Sequence, residues 1–292
     1  MKFALQRCCT TPIFLKQYET STNAILEKLD VDLVDIETFN CCGYPLRNQN
    51  ARAYILASAR NLSLAEREHL DIMTFCNCCY GSLRNVNHLM KENPSVRSET
   101  NLKLKKEGLR YEGGVDIRHL LGLLYKDIGV QEIKKHVVRK FHDLRIATHY
   151  GCHLLRPTPI IQFDNPTSPT IFDQLVEMTG AESISWSKKL ECCGSPMWGV
   201  NEELSLDLLE QKIKNALGAG ADYFCVACSY CQIQFDRVQK MLIQRRKMER
   251  HLPSILYTQL LGLSLGIDEN QLGLADNELD VTGVKAFLSE AM

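Results

Sequence analysis

The chain has little that would draw it to a charged polymer or a lipid phase. Lys and Arg number 34 against 35 Asp and Glu, a net charge of −1, so there is no general attraction to nucleic acid or anionic lipid. No stretch reaches the roughly 18 apolar residues needed to span a bilayer. The start, Met1-Lys2-Phe3-Ala4-Leu5-Gln6-Arg7, lacks the apolar core of about 7 to 15 residues that marks a secretory signal. These absences predict a cytoplasmic protein with no membrane span and no nucleic-acid partner.

What the chain has in quantity is cysteine, 13 residues in a globular composition of 45% hydrophobic and 24% charged residues. Thiols in the cytoplasm are kept reduced, which argues against a disulfide scaffold. The odd number, the adjacent pairs and the two C-x-x-C elements point instead to thiolates as metal ligands. The most conspicuous stretch is Cys192-Cys193-Gly194-Ser195-Pro196, and Cys41-Cys42-Gly43-Tyr44-Pro45 is its earlier echo. Two unrelated buried Cys pairs are the plain alternative, since free Cys is among the most buried residue types. The matching distances of the surrounding cysteines favour a repeat.

In chain order, Lys2–Gln6 reads as a strand leading to Cys8 and Cys9, and Tyr18–Leu29 as a helix. Val31–Ile36 alternates like a second strand and delivers the chain to Cys41 and Cys42. Ala51–His69 has helical spacing, and Leu70–Phe75 is a third strand ending at Cys76-Asn77-Cys78-Cys79. Lys91–Leu144 is a charged helical stretch with a predicted helix over Ile117–Ile128. The order then repeats: strand Leu144–His149 to Cys152, strand Glu182–Trp186 to Cys192 and Cys193, helix Glu202–Leu217, and strand Tyr223–Ala227 to Cys228-Ser229-Tyr230-Cys231. Cys42 to Cys76 is 34 positions and Cys193 to Cys228 is 35. Cys9 to Cys41 is 32 and Cys152 to Cys192 is 40, the excess falling in the Pro-rich run from Arg156 to Pro169. Asp116–Leu123 and Leu256–Leu263 share a Leu-Leu-Gly-Leu segment that reads as core packing.

Such alternation predicts an α/β fold of two pseudo-symmetric Rossmann-like units with parallel sheets, ligands gathering outside the carboxyl ends of the strands. The expected units are 1–140, with a helical linker, and 141–292, with a helical extension. Superimposing them matches Cys9, Cys41, Cys42, Cys76 and Cys79 with Cys152, Cys192, Cys193, Cys228 and Cys231. Cys8, Cys78 and Cys225 are unmatched, with Gly151, Tyr230 and Met73 at the equivalent positions. Cys8 and Cys78 give the first half alternative ligands, whereas Cys225 on a strand reads as a buried structural thiol. A structural zinc site closes with four ligands, so five thiolates per half are one too many; soft thiolate sets otherwise select iron and sulfide. Zinc in one half and a metal-free redox thiol pair stay open as alternatives. In Cys-Cys-Gly-x-Pro the Gly allows a sharp turn with positive φ, the Pro begins a helix favourably, and amides freed at that start can donate to sulfur.

The order Cys, Cys-Cys-Gly, C-x-x-C, present twice, resembles the B subunit of heterodisulfide reductase, as does the closing stretch Leu252–Leu263. The resemblance implies that each set of five cysteines holds a noncubane four-iron, four-sulfur cluster and that a disulfide is cleaved or formed between the two. Two clusters flanking one S–S bond, each passing one electron, match its two-electron change. The same unit occurs in subunits of succinate, glycolate and lactate dehydrogenase-type complexes, so a non-catalytic electron-transfer subunit is the alternative. No Cys run resembles a cubane ferredoxin, which places the electron relay on another chain. The resemblance implies a ferredoxin-like iron–sulfur partner of the C type, a flavin partner of the A type, and a small-molecule or protein-bound thiol or disulfide substrate. His153, beside Cys152, is the candidate proton donor; its plainer role is a hydrogen bond to a ligand sulfur or a backbone group.

Overall fold

The computed structural model describes residues 1–290. Two four-stranded sheets form, all of whose neighbouring strands are parallel. The first has the order β2-β1-β3-β4, from β1 (Lys2–Leu5), β2 (Asp32–Val34), β3 (Ile72–Thr74) and β4 (Ile117–His119). The second repeats it as β6-β5-β7-β8, from β5 (Arg145–His149), β6 (Glu182–Ser183), β7 (Tyr223–Val226) and β8 (Ser254–Leu256). Helices flank both sheets, and the fold is α/β with two Rossmann-like units. The strands are short; β3 and β8 are buried at every position, as parallel sheets require, whereas the edge strands β2 and β6 are partly exposed.

One expected element differs. Ile117–His119 is a strand paired with Ile72–Thr74 rather than the start of a helix; helix begins only at Leu120. The reason is tertiary. Ile117, Arg118 and His119 gain a parallel partner in β3, which sequence periodicity over so short a run cannot reveal. Ser254–Leu256 is likewise a strand, against β7. Because Ile72 pairs with Ile117 and Phe224 with Ser254, Leu120 corresponds in space to Tyr257. The two Leu-Leu-Gly-Leu segments are therefore displaced by about one helical turn, although both are core: Leu120, Leu121, Leu260 and Leu261 are fully buried. The Pro-rich insertion is not all loop, since Thr158–Ile161 closes a short helix.

The two units are bound by exchanged packing. The second unit's helix Tyr257–Ser264 packs on the first unit's helix Lys16–Lys28, where the buried hydroxyls of Ser21 and Thr258 meet at 2.6 Å. At the ends of the sheets, Asn77 Nδ2 donates to the Tyr150 carbonyl at 2.7 Å, and the Thr11 and Ser229 hydroxyls lie 3.4 Å apart. Asn77 and Ser229 each follow the first cysteine of a C-x-x-C element, so each unit reaches across at the same point of its fold.

His119 closes β4 and starts the next helix, its Nδ1 accepting from the Leu121 amide at 3.2 Å. Burial lowers its pKa from 6.5 to about 3, so the folded ring stays neutral. Above pH 6.5 the ring is neutral folded and unfolded alike, and its contribution to stability is complete. As pH falls through 6.5 the unfolded chain takes up a proton that the folded chain refuses, and stability is lost, by about 1.4 kcal/mol at pH 5.5. Chemical denaturation of wild type and His119→Gln at pH 7.5 and 5.5 is expected to show the variant losing less stability over that interval by about this amount.

Candidate metal centre

Every cysteine set sits just beyond the carboxyl end of a strand, because that is where a parallel strand hands its chain to a loop. Cys8 and Cys9 follow β1, Cys76 follows β3, Cys152 follows β5 and Cys228 follows β7. The paired cysteines arrive on turns built alike in both halves. Gly43 has φ 83° and Gly194 φ 93°, each opening one turn of 3₁₀ helix with Pro45 or Pro196 in its first positions. A Cβ on Gly43 would lie 2.9 Å from the Tyr54 carbonyl oxygen, and one on Gly194 3.0 Å from that of Ser205. Both turns thus require glycine by conformation and by space. The freed amide acts as expected in the second half, where Gly194 N donates to Cys192 Sγ at 3.4 Å.

All 13 cysteines are unpaired thiols, and burial grades them in the same way in each half. Cys42, Cys76 and Cys79 are buried, as are Cys193, Cys228 and Cys231; Cys41, Cys152 and Cys192 are half-buried and Cys9 is exposed. The structure gathers three buried donor groups whose ligand atoms all lie within 4.8 Å of one another: Cys8, Cys76 and Cys79; Cys76, Cys78 and Cys228; and His149, Cys193 and Cys231. Cys193 and Cys231 sulfurs are 3.7 Å apart. The middle group spans the two halves. Cys76 of one C-x-x-C and Cys228 of the other meet there, and the unmatched Cys78 joins them.

Protonation follows the same symmetry. Hydrogen bonds from Cys42 and Cys9 pull Cys41 down to about 3, and hydrogen bonds from Cys152 and Cys193 pull Cys192 down to about 2. Hydrogen bonding to its thiolate neighbour Cys192 raises Cys193 to about 12. The first cysteine of each pair is therefore the thiolate, with its neighbours as donors. A set of soft sulfurs converging on a buried point, with a thiolate at its mouth, fits a soft metal or a metal–sulfide group.

Of the remaining cysteines, Cys8 joins the first set, with Gly151 in its place in the second half. Gly151 has φ 74° and is pressed against the Asn77 amide and Cys231 Sγ, which leaves no room there for a side chain. Cys225 is fully buried on β7, and burial alone raises its pKa; it lies in none of the three donor groups.

His153 lies at the junction. Its Nδ1 is 3.6 Å from Cys78 Sγ and 3.7 Å from Cys152 Sγ, and Arg47 of the first half is 3.1 Å from its Nε2. A guanidinium only donates, so Nε2 accepts and Nδ1 carries the hydrogen, facing the sulfurs. Burial first, and then the Arg47 charge, lower its pKa. The ring of Tyr44 meets His153 edge-on at 5.1 Å, under the Arg47 guanidinium at 4.7 Å. Arg47 and Tyr44 carry no signal in the sequence, because their role depends on the other half of the chain.

His149 and Lys212 also lie outside the set the sequence singles out. His149 is the last residue of β5, and both ring nitrogens lack a hydrogen-bond partner among the described residues. Lys212 is 1% exposed, its Nζ donating to the Lys188 carbonyl and lying 5.0 Å over the Trp186 ring. The signal available is a Lys on the apolar face of the Glu202–Gly218 helix and a His at a strand end.

Comparison with known proteins agrees with this arrangement. The cysteine-rich domain family named for Cys-Cys-Gly matches the chain twice, over residues 3–84 and 146–236. The chain is 36% identical over 283 residues to the B subunit of the ferredoxin/F(420)H(2)-dependent CoB-CoM heterodisulfide reductase of Methanosarcina acetivorans, covering 95% of this chain and 94% of that one. The chain belongs to the heterodisulfide reductase B-subunit family of duplicated cysteine-rich domains. It is also 30% identical over 282 residues to the 8-methylmenaquinol:fumarate reductase membrane anchor subunit of Wolinella succinogenes, covering 96% of this chain and 98% of that one. A crystal structure of a hypothetical protein from Helicobacter pylori shares the fold, with a TM-score of 0.78 at 18% identity; 96% of this chain superimposes on 52% of that one. Among the described residues no helix is long and apolar enough to cross a membrane.

The glycine turns give a direct test. Gly43→Ala and Gly194→Ala are each expected to cost roughly 1–3 kcal/mol through the forced positive φ and the carbonyl clash. Gly199, with φ 83° but nothing within 4 Å of an added Cβ, should lose less on the same change. Unfolding midpoints of the three variants, read together with bound metal, rank them.

Proposed function

We propose that this chain works in a heterodisulfide-reductase-type complex, cleaving or forming a disulfide at the junction of its two halves. The first noncubane four-iron, four-sulfur group would be held by Cys9, Cys41, Cys42, Cys76 and Cys79, and the second by Cys152, Cys192, Cys193, Cys228 and Cys231. The observation that carries this reading is the meeting of Cys76, Cys78 and Cys228 within 4.8 Å across the two halves, which joins one member of each proposed set. When bound, the two groups supply one electron each to a change that needs two. The physiological partners in this reading are a ferredoxin-like iron–sulfur protein of the C type and a flavin protein of the A type, and the units run 1–140 and 141–292.

The chain's own residues would manage the proton and the approach. His153 holds a hydrogen on Nδ1 between the Cys78 and Cys152 sulfurs, where it would donate a hydrogen bond to a nascent thiolate and pass the proton on as Nε2, released by Arg47, takes up another from solvent. Arg47 fixes that tautomer by occupying Nε2, and Tyr44 packs the ring in place. A second reading, an electron-transfer subunit without disulfide chemistry, is favoured by the likeness to the Wolinella fumarate reductase protein.

Anaerobic purification with iron and sulfide counts, followed by turnover of a disulfide panel with reduced viologen, separates the two. About eight irons with turnover supports the first reading; the same iron without turnover on any disulfide supports the second; one or two zincs without sulfide would overturn both. His153→Gln should lower turnover by roughly 10²–10⁴-fold at normal iron content. Full turnover of that variant would remove the acid role.

A further inference from the structure

The two halves match in backbone and in cysteines but not in the polar residues beneath them. In the first half, Gln6 follows β1 and Asn61 lies on the helix Ala51–Arg67; with Asn40 they form an amide network, and Asn40 Oδ1 also accepts from Arg60 Nη1 at 3.0 Å. Asn61 Nδ2 donates to Gln6 Oε1 at 2.6 Å and to the Asn40 carbonyl at 2.7 Å, and Gln6 Nε2 donates to that same carbonyl at 3.2 Å. The equivalent residues of the second half are fixed by two independent alignments. Ala4 pairs with Ile72 as Ala147 pairs with Phe224, so His149 stands where Gln6 does. Both 17-residue helices are capped by an Asn whose side chain accepts from the third residue on, Asn50 from Ala53 N and Asn201 from Leu204 N, so Lys212 stands where Asn61 does.

The substitution changes the electrostatics of one site only. His149 is 1% exposed, and neither nitrogen has a hydrogen-bond partner among the described residues. Its ring nitrogen lies within 4.8 Å of the Cys193 and Cys231 sulfurs. A neutral imidazole has one N–H to give, and leaving it unmade in a buried site is unfavourable by roughly 1–3 kcal/mol. Lys212 is as deeply buried, and among the described residues no carboxylate lies within 4.0 Å of its Nζ. A buried ammonium without a counter-ion is strongly unfavourable; its Nζ donates to the Lys188 carbonyl, and the Cys192 thiolate is among the charges that attract it. The His149 ring adjoins the second cysteine set, and the Lys212 cation, held by the Lys188 carbonyl and the Trp186 ring, lies within electrostatic reach of it. The first set has a satisfied amide network beneath it, and the Arg60 bound to Asn40 is itself paired with Glu107.

We infer that His149 and Lys212 are positioning residues that make the two metal groups electronically unequal, stabilising the reduced, more negative state of the group held by the second half. This inference rests on the reading that both cysteine sets hold iron–sulfur groups. Donors and positive charge directed at cluster sulfur raise its reduction potential, so an incoming electron would settle first on the second group. The one-electron reduction involves no bond made or broken by either residue: the electron comes from the iron–sulfur partner, and the His149 hydrogen and the Lys212 charge stay in place.

The test is a redox titration of the anaerobically purified, iron-loaded protein, followed by electron paramagnetic resonance. Wild type is compared with His149→Gln and Lys212→Asn, which install the first half's residues, and with Lys212→Arg, which keeps the charge. The expected result is two separate midpoints in wild type. Each of the first two variants should move the higher one down by about tenfold in its reduction equilibrium, about 59 mV for a one-electron couple, while the lower midpoint and the iron and sulfide content stay unchanged. Lys212→Arg should keep the wild-type value. Coincident wild-type midpoints, unmoved midpoints in fully loaded variants, or equal shifts in both groups would overturn the inference while leaving the iron–sulfur reading intact. Protein purified with zinc or without sulfide would overturn that reading and the inference with it. Should His149→Gln load iron poorly, Lys212→Asn decides alone, since the Lys212 Nζ is held by the Lys188 carbonyl rather than by a cysteine.

Discussion

The structure depends on the handover of a parallel strand to its loop. A strand in a parallel sheet must leave at its carboxyl end, and the backbone groups released there are free to accept or donate to whatever gathers outside. By ending β1, β3, β5 and β7 on cysteine-bearing loops, the chain places two sets of thiols on the same side of two sheets. Exchanged packing of the Lys16–Lys28 and Tyr257–Ser264 helices holds those sides together. Thiols crowded in this way cannot all ionise, and they resolve into acceptors and donors: Cys41 and Cys192 as thiolates, their neighbours as donors.

Duplication accounts for the symmetry, and its lapses carry information about function. Cys8, which joins Cys76 and Cys79, is replaced by Gly151 because Asn77 and Cys231 fill the space a side chain would need. Cys78 is replaced by Tyr230, whose ring packs beside Tyr44 of the first half at 5.9 Å. Gln6 and Asn61 are replaced by His149 and Lys212. A site of two identical halves would treat both atoms of a bond alike; these replacements give the two sides different donors, different charge and different access.

Much of this was legible in the residues. The ten matched cysteines, the strand preceding each set, the helices Ala51–Arg67 and Glu202–Gly218 and the glycine-dependent turns all follow from local spacing, because a turn, a cap and a short buried strand are decided within a few residues of chain. β4 and β8 were not legible. Three residues each, Ile117–His119 and Ser254–Leu256, they carry too little periodicity to separate strand from helix, and only the pairing edges offered by β3 and β7 decide them. For the same reason the likeness of the Leu-Leu-Gly-Leu segments misplaced the register by a turn.

By itself, then, the sequence determined that two like α/β units exist and which thiols each brings to its strand ends, since those are matters of order along the chain. Tertiary structure alone decided that Cys76 meets Cys228, that His153 of one half is held by Arg47 of the other, and that Cys78 lies at the junction while Cys225 lies in the core. It also decided that His149 adjoins Cys193 and Cys231 and that Lys212 is buried behind the same half, on the Lys188 carbonyl. The physical reason is distance. Each of these relations joins residues brought together by packing between strands, helices or halves, and the energies that fix them come from burial and from hydrogen bonds across those contacts, about which spacing along the chain is silent.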